Sequence, residues 1–314
     1  MNLPRPEPGA RSERDALAGT LGGAGALSRF VPASDGVDLH YLRWPAAKGK
    51  SWATLVFLHG IASHAGWFAE TAADLAGQGV TVAAPDRRGS GRSGGRRGHL
   101  HSYERAIEDV EQVVRLVALE DRGSPVFLAA SSWAAKLALV YAARRPPRLA
   151  GLLLLGPVLL ARVNLSPARR AAVLAGHLVA PTANLPIPLT PELYTANPDY
   201  LDFIRSDQLR LLEATTRFFW ETARLDRLRP RASAGLRLPL LVLQGEDDAM
   251  VDVAGTRDWF AGLGVDDTTY RAYPGAGHTL DFEPDRTRYT ADLLDWLAAR
   301  VPPTPSFPPP SSPL

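Results

Sequence analysis

Apolar segments of two lengths alternate along most of this chain, and that alternation limits its fold more than any other feature. Short runs rich in Val, Leu and Ala read as strands at 30–32, 37–44, 53–58, 80–84, 126–130, 151–155, 238–243 and 268–273. Segments at 67–77, 102–119, 132–145, 253–263 and 284–300 read as the helices between them. The last begins with proline and sets Leu293, Leu294, Trp296 and Leu297 on one face. This pattern predicts an α/β fold, a mostly parallel eight-stranded sheet flanked by helices on both faces. The alternation stops from about 160 to 237. Only helical segments such as PARRAAVLAGHLVA and DQLRLLEATTRFFWETARL appear there. We read this stretch as a helical cap inserted over the carboxyl ends of the strands.

Length fits one large domain, 26–301, carrying that insertion. Residues 1–25 mix Pro, Gly, Ala and charge without a period, and PPTPSFPPPSSPL has seven prolines in thirteen residues; both read as flexible tails. A net charge of +2 is too small to make nucleic acid the main partner, and an apolar share of 46% supplies a sizeable core. With no cysteine there is no disulfide, thiolate nucleophile or zinc–sulfur site. The longest apolar run, 149–161, is interrupted by glycine and proline and falls short of the ~20 residues a membrane-spanning helix needs. The expectation is a cytoplasmic protein with no transmembrane segment, open to transient contact with a membrane surface.

The sharpest local feature is LAASSWAAKLAL, in which Ser131 and Ser132 sit where a strand gives way to a helix. A nucleophile at a tight strand–turn–helix elbow needs small residues two before and two after it, because backbone crowds both places. Ser132 has Ala130 and Ala134 there; Ser131 would have Ala129 and Trp133, and an indole does not fit. Taken alone, a serine beside a strand end is more often a helix N-cap than a nucleophile. Two later strand ends change that weighing. LPLLVLQGEDDAMVD ends a strand in the acids Glu246, Asp247 and Asp248, and YPGAGHTLDFE ends another in a glycine-rich loop bearing His278. A serine hydroxyl is a poor nucleophile until an imidazole takes its proton, and the imidazole needs an acid to hold its tautomer and charge. Serine, acid and histidine follow in that order, each just past a strand.

At this point the chain resembles the α/β-hydrolase superfamily, and within it the monoglyceride lipase, lysophospholipase and serine-aminopeptidase-like group. The marks are LVFLHGIASH, PDRRGSGRSGGRRG, ASSWA, QGEDDAMV and GAGH, spread over roughly 30–299. The elbow departs from the family's G-x-S-x-G by carrying alanine at both small positions. The resemblance places the acid on Asp248, third after the glycine of G-x-x-D-x-x-V, with Val251 closing the motif. It also implies an oxyanion hole from the backbone N–H groups of Ile61 and Trp133. His59 is expected to organise its loop, and His64 either lines the entrance or is solvated. The family loop with Asp86 and Gly89 accounts for Gly89, Gly91 and Gly94, which spell G-x-G-x-x-G but open no helix and have no strand-end acid ~20 residues on.

That loop carries Arg87, Arg88, Arg92, Arg96 and Arg97. They form either a solvated face or, through Arg96 and Arg97 near the site, an attraction for anionic substrates. Lys136, one of three lysines, reads as a structural ion-pair partner carried away from the acyl site by helical direction. In the cap, Leu209, Leu211, Leu212, Phe218, Phe219 and Trp220 exceed one packing stripe; they either pack the cap on the sheet or face an acyl pocket. The sequence thus points to a serine hydrolase acting on carboxylic esters, by resemblance monoacylglycerol or lysophospholipid-like, with no metal or organic cofactor. A peptidase or amidase of the same fold and a non-catalytic binding protein are the alternatives.

Overall fold

The computed structural model describes residues 25–47, 49, 51–144 and 149–301. The tails expected at 1–25 and 302–314 lie outside the described residues, Gly25 apart. In chain order the strands are β1 (Leu27–Pro32), β2 (Asp38–Trp44), β3 (Ala53–Leu58), β4 (Val80–Pro85), β5 (Val126–Ser131), β6 (Leu149–Leu155), the short β7 (Asn184–Pro186) and β8 (Glu213–Thr215), β9 (Leu240–Gly245) and β10 (Thr268–Tyr273). The helices are α1 (Ala69–Gly77), α2 (Tyr103–Glu120), α3 (Ala134–Arg144), α4 (Pro167–Val179), α5 (Pro198–Ser206), α6 (Thr216–Gly235), α7 (Val253–Ala261) and α8 (Thr287–Ala298).

One sheet runs β1-β2-β4-β3-β5-β6-β9-β10, and β2 alone opposes its neighbours. Its central strands are apolar throughout because both faces are covered. In β5, Val126, Leu128 and Ala130 enter the core under α2, α3 and α7, while Phe127 and Ala129 enter the core under α1 and α8. From β3 the chain passes through α1 to β4 on one side, then returns through α2 to β5 on the other. That reversal opens a crevice at the carboxyl ends of β3 and β5, where open α/β sheets bind their ligands. This is an α/β-hydrolase fold with all eight expected strands in one sheet.

The cap departs from expectation in two places. It contains two short strands, β7 and β8, paired antiparallel. The segment DQLRLLEATTRFFWETARL is helical only from Thr216, so Leu209, Leu211 and Leu212 lie outside any helix. Thr215 caps α6 by accepting the Phe218 N–H, which fixes that start. Among the described residues no helix is long and apolar enough to cross a membrane.

Candidate active site

β5 ends at Ser131, and Ser132 makes the turn into α3. Its φ of 55° is the only left-handed backbone angle outside glycine among the described residues. Such a conformation costs an L-residue about 1–2 kcal/mol, so its surroundings must hold it. They do: the Ser132 N–H donates to Leu155 O at 3.0 Å, and its carbonyl accepts from Val158 N at 3.1 Å. Ala130 and Ala134 are buried beside it. The loop after β3 presses on the same serine. A Cβ on Gly60 would stand 3.1 Å from Ser132 Cβ, so glycine there permits the approach.

His278 enters from the loop after β10. Its Nδ1–H donates to Asp248 Oδ2 at 2.7 Å, and both side chains are buried. The remaining Asp248 contacts come from Gln244 Nε2 at 2.9 Å, Met250 N at 2.8 Å and Val251 N at 3.2 Å. Burial works to raise the Asp248 carboxyl, but the His278 charge and these donors outweigh it and hold it below its ordinary value. The acidic turn is thereby sorted. Glu246 is exposed and pairs with Arg257, Asp247 is exposed, and Asp252 caps α7 through the Gly255 N–H. His278 Nε2 is buried and has no hydrogen-bond partner among the described residues. It shares with Ser132 a small cavity of about 30 Å³.

The Ile61 and Trp133 N–H groups likewise find no acceptor among the described residues. Arg87, half-buried against the rings of Trp133 and Phe218, donates to the carbonyls of Gly60 at 2.9 Å and Ile61 at 2.9 Å. It therefore fixes the peptide plane that carries the Ile61 N–H and the plane that follows it. Sequence reasoning missed this role, because a run of arginines read only as charge. His59 is buried, and burial pushes it down to about 3, assisted by the Arg87 charge. As a neutral ring it donates from Nδ1 to Gly60 O and accepts the Arg87 N–H at Nε2, so it organises the loop.

A second cavity, of about 520 Å³, opens on the other side of Ser132, under the cap. Ile61, Trp133, Phe219 and Trp220 line it. Phe218 does not; it packs on Trp133, ring centroids 5.0 Å apart. Lys136 pairs with Asp226 as an ion-pair partner would, but both residues line this cavity, so the helix does not carry the lysine away from it. His64 lies neither at an entrance nor in solvent. It is buried, with Nε2 3.2 Å from Asp207 Oδ2, which also accepts from Trp67 Nε1 at 2.7 Å. Arg96 and Arg97 line neither cavity. They donate to cap carbonyls, Arg96 to Thr182 O at 3.1 Å and Arg97 to Leu209 O at 2.9 Å. Arg88 is held by Asp35 and Asp109. The glycine pattern wraps the buried Asp86 carboxylate, which accepts from His40 Nδ1, Ala65 N and Arg92 N. A Cβ on Gly91, φ +51°, would fall 2.2 Å from Asp86 Cγ, so the carboxylate occupies the space a phosphate would need.

Comparison with known proteins agrees with this geometry. The family model for serine aminopeptidase, S33, matches residues 49–285. The chain is 30% identical to the human protein named monoglyceride lipase over 285 residues, 85% of this chain and 89% of the relative. It is 28% identical to the monoacylglycerol lipase of Mycolicibacterium smegmatis over 252 residues, 79% and 88% of the two. The crystal structure of a soluble monoglyceride lipase variant from Saccharomyces cerevisiae, in complex with a substrate analog, superposes with a TM-score of 0.80 at 19% identity. It covers 90% of this chain and 98% of that one, and at such identity it bears on the fold alone. Fold, motif positions and sequence agree that the chain belongs to the serine aminopeptidase S33 family of α/β-hydrolases, in its monoglyceride-lipase-like group.

Proposed function

We propose that this protein is a serine hydrolase that cleaves the carboxylic ester of mono-acyl lipids, monoacylglycerol first among them, through an acyl-enzyme. The observation that carries the reading is the buried His278–Asp248 pair, whose free Nε2 shares a cavity with Ser132. In this reading Nε2 takes the Ser132 proton as Oγ attacks the ester carbonyl. The Ile61 and Trp133 N–H groups receive the oxyanion, an interaction worth roughly 3 kcal/mol per donor. His278 then gives the proton to the leaving alcohol, and water, activated by the same ring, releases the acid.

The two cavities divide the substrate. His278 must reach the leaving oxygen, and it lines the small cavity and not the large one. The alcohol therefore takes the small side and the acyl chain the large apolar side. The names of the human and mycobacterial relatives support a monoacylglycerol. We further read a cytoplasmic enzyme that meets lipid surfaces transiently. Leu174, Leu178 and Val179 on α4 stand 61%, 73% and 84% exposed, and Leu174 also lines the large cavity, an apolar edge suited to that contact.

The test is an acyl-chain series of p-nitrophenyl esters and monoacylglycerols, run beside aminoacyl-naphthylamides. Turnover of esters, with kcat/KM rising with chain length, is expected. Naphthylamide turnover exceeding that of every ester would replace the reading with an aminopeptidase.

A further inference from the structure

An alkyl chain needs an apolar wall, and most of the large cavity provides one. Lys136 and Asp226 interrupt it. Lys136 lies one turn into α3 and Asp226 on the cap helix α6; both line the cavity, and Nζ pairs with Oδ1. The lysine side chain is 7% exposed and the aspartate 43%. The pair uses one of the ammonium's three N–H groups and one of the two carboxylate oxygens. Among the described residues neither Nζ nor the second oxygen has another partner.

Holding two helices together does not explain such a pair, because apolar residues of similar volume do that at least as well. What it adds is a spare donor beside a spare acceptor. A hydroxyl satisfies both, accepting from Lys136 and donating to Asp226. A carboxylate would be drawn to the lysine but repelled by the aspartate. A methylene would satisfy neither the spare donor of the buried lysine nor the spare acceptor beside it. Ser132 and Lys136 line the same cavity, so an acyl chain attached at Ser132 shares that space with the ammonium.

We propose that Lys136 and Asp226 form a hydroxyl-recognition subsite in the acyl cavity, and that the preferred substrates are esters of hydroxy fatty acids. The inference rests on the ester-hydrolase reading above and adds the chemistry of the acyl group. No residue of the Ser132–His278–Asp248 set takes part in the discrimination.

The experiment compares kcat/KM for glycerol monoesters of octanoic, 3-hydroxyoctanoic, 6-hydroxyoctanoic and octanedioic acids. The natural protein should prefer one of the hydroxylated esters to octanoate by about tenfold, the worth of a hydrogen bond to a charged group. Lys136→Met should bring that ratio close to one, with labelling of Ser132 by a fluorophosphonate showing that the variant is folded. Asp226→Ala, at a half-exposed position, should lower the ratio as well, and serves if the lysine variant does not fold. Octanoate turned over as fast as both hydroxy esters overturns the subsite and leaves the ester-hydrolase reading intact. A preference for the octanedioate makes it an anion site and overturns the proposal too. No turnover of any ester overturns both.

Discussion

The rim of the sheet and the cap above it differ in how far they lean on side-chain bonds. At the rim, backbone does the fixing: Leu155 O and Val158 N hold Ser132, and the Met250 and Val251 N–H groups hold Asp248. In the cap, backbone bonds such as Leu211 N to Ala62 O and Thr215 N to Gly98 O, both 2.9 Å, are joined by many side-chain bonds. Asp207 meets His64 and Trp67, and Trp67 lies edge-on to Tyr194 and Phe203 at 5.2 and 6.0 Å. Arg96 and Arg97 reach cap carbonyls, and Trp133 Nε1 donates to Thr222 on α6. Backbone bonds survive most substitutions; side-chain bonds do not. The rim should therefore set whether the reaction happens, and the cap should set which substrate it happens to.

The largest expected effects lie at the rim. Ser132→Ala should lower kcat by about 10⁶-fold and abolish fluorophosphonate labelling, while Ser131→Ala keeps most of the activity. His278→Gln should cost nearly as much, and Asp248→Asn about 10⁴-fold by stabilising the wrong tautomer. All of these losses should be the same for short and long acyl chains. A chain-length dependence in any of them would break the division between rim and cap. Label appearing on Ser131 would remove the elbow itself.

The rim was legible in the sequence because each of its groups follows a strand and is tied to a local motif. Ser132 was separable from Ser131 by the size of its flanking residues alone. Asp248 came only with the resemblance, since three acids in a row look alike until the Met250 and Val251 amides and Gln244 choose among them. The cap was much less legible. Its contacts join residues far apart in sequence, such as Arg97 with Leu209 and His64 with Asp207. Nothing local marked β7 and β8 as strands, because three-residue pairs leave no period to read. Lys136 was misplaced because the position of the cap decides what its helix faces.

A pH experiment sharpens the picture of the rim. Asp281, on the loop after His278, is buried, and burial raises its carboxyl to about 7 despite the bond from Thr71 and the charge of Arg286. An unfolded chain gives up that proton near 3.8. Between these values unfolding releases a proton, so this contribution to stability is complete at low pH and is lost as pH rises towards 7. Relative to Asp281→Asn, the natural protein should lose on the order of a few kcal/mol of stability from pH 4 to 7. Thermal melts of the two proteins across that range measure it. Parallel curves would mean that Asp281 is ionised in the folded state.

In the cap the expected effects are smaller and depend on substrate. Phe219 and Trp220 line the large cavity, whereas Phe218 packs on Trp133 and Arg87. Phe219→Ala and Trp220→Ala should penalise long acyl chains over short ones, by up to ~0.8 kcal/mol for each methylene that loses its burial. Phe218→Ala should lower kcat/KM evenly across the series, because it loosens the ring of Trp133, whose N–H is a proposed oxyanion donor. Kinetics on a series of monoacylglycerols separates the two patterns. An even loss from Phe219→Ala would make it a packing residue like its neighbour.

The smallest effect tests whether the arginine loop belongs to the cap's fastening or to substrate capture. Arg96 and Arg97 are exposed, yet their guanidinium groups bond to Thr182 O and Leu209 O rather than facing either cavity. A guanidinium that holds a carbonyl acts over hydrogen-bond length and is little affected by salt. One that attracts a headgroup through solvent is screened over ~10 Å at 0.1 M ionic strength. Arg96→Glu with Arg97→Glu should therefore raise KM a few-fold, on the order of 1 kcal/mol, as the cap loosens. The rise should be equal for monoacylglycerol and an anionic lysophospholipid, and unchanged between low and high salt. Steady-state kinetics on both substrates at two ionic strengths decides the matter. A rise confined to the lysophospholipid and erased by salt would return these arginines to substrate capture, and the cap would then select by charge as well as by acyl chain.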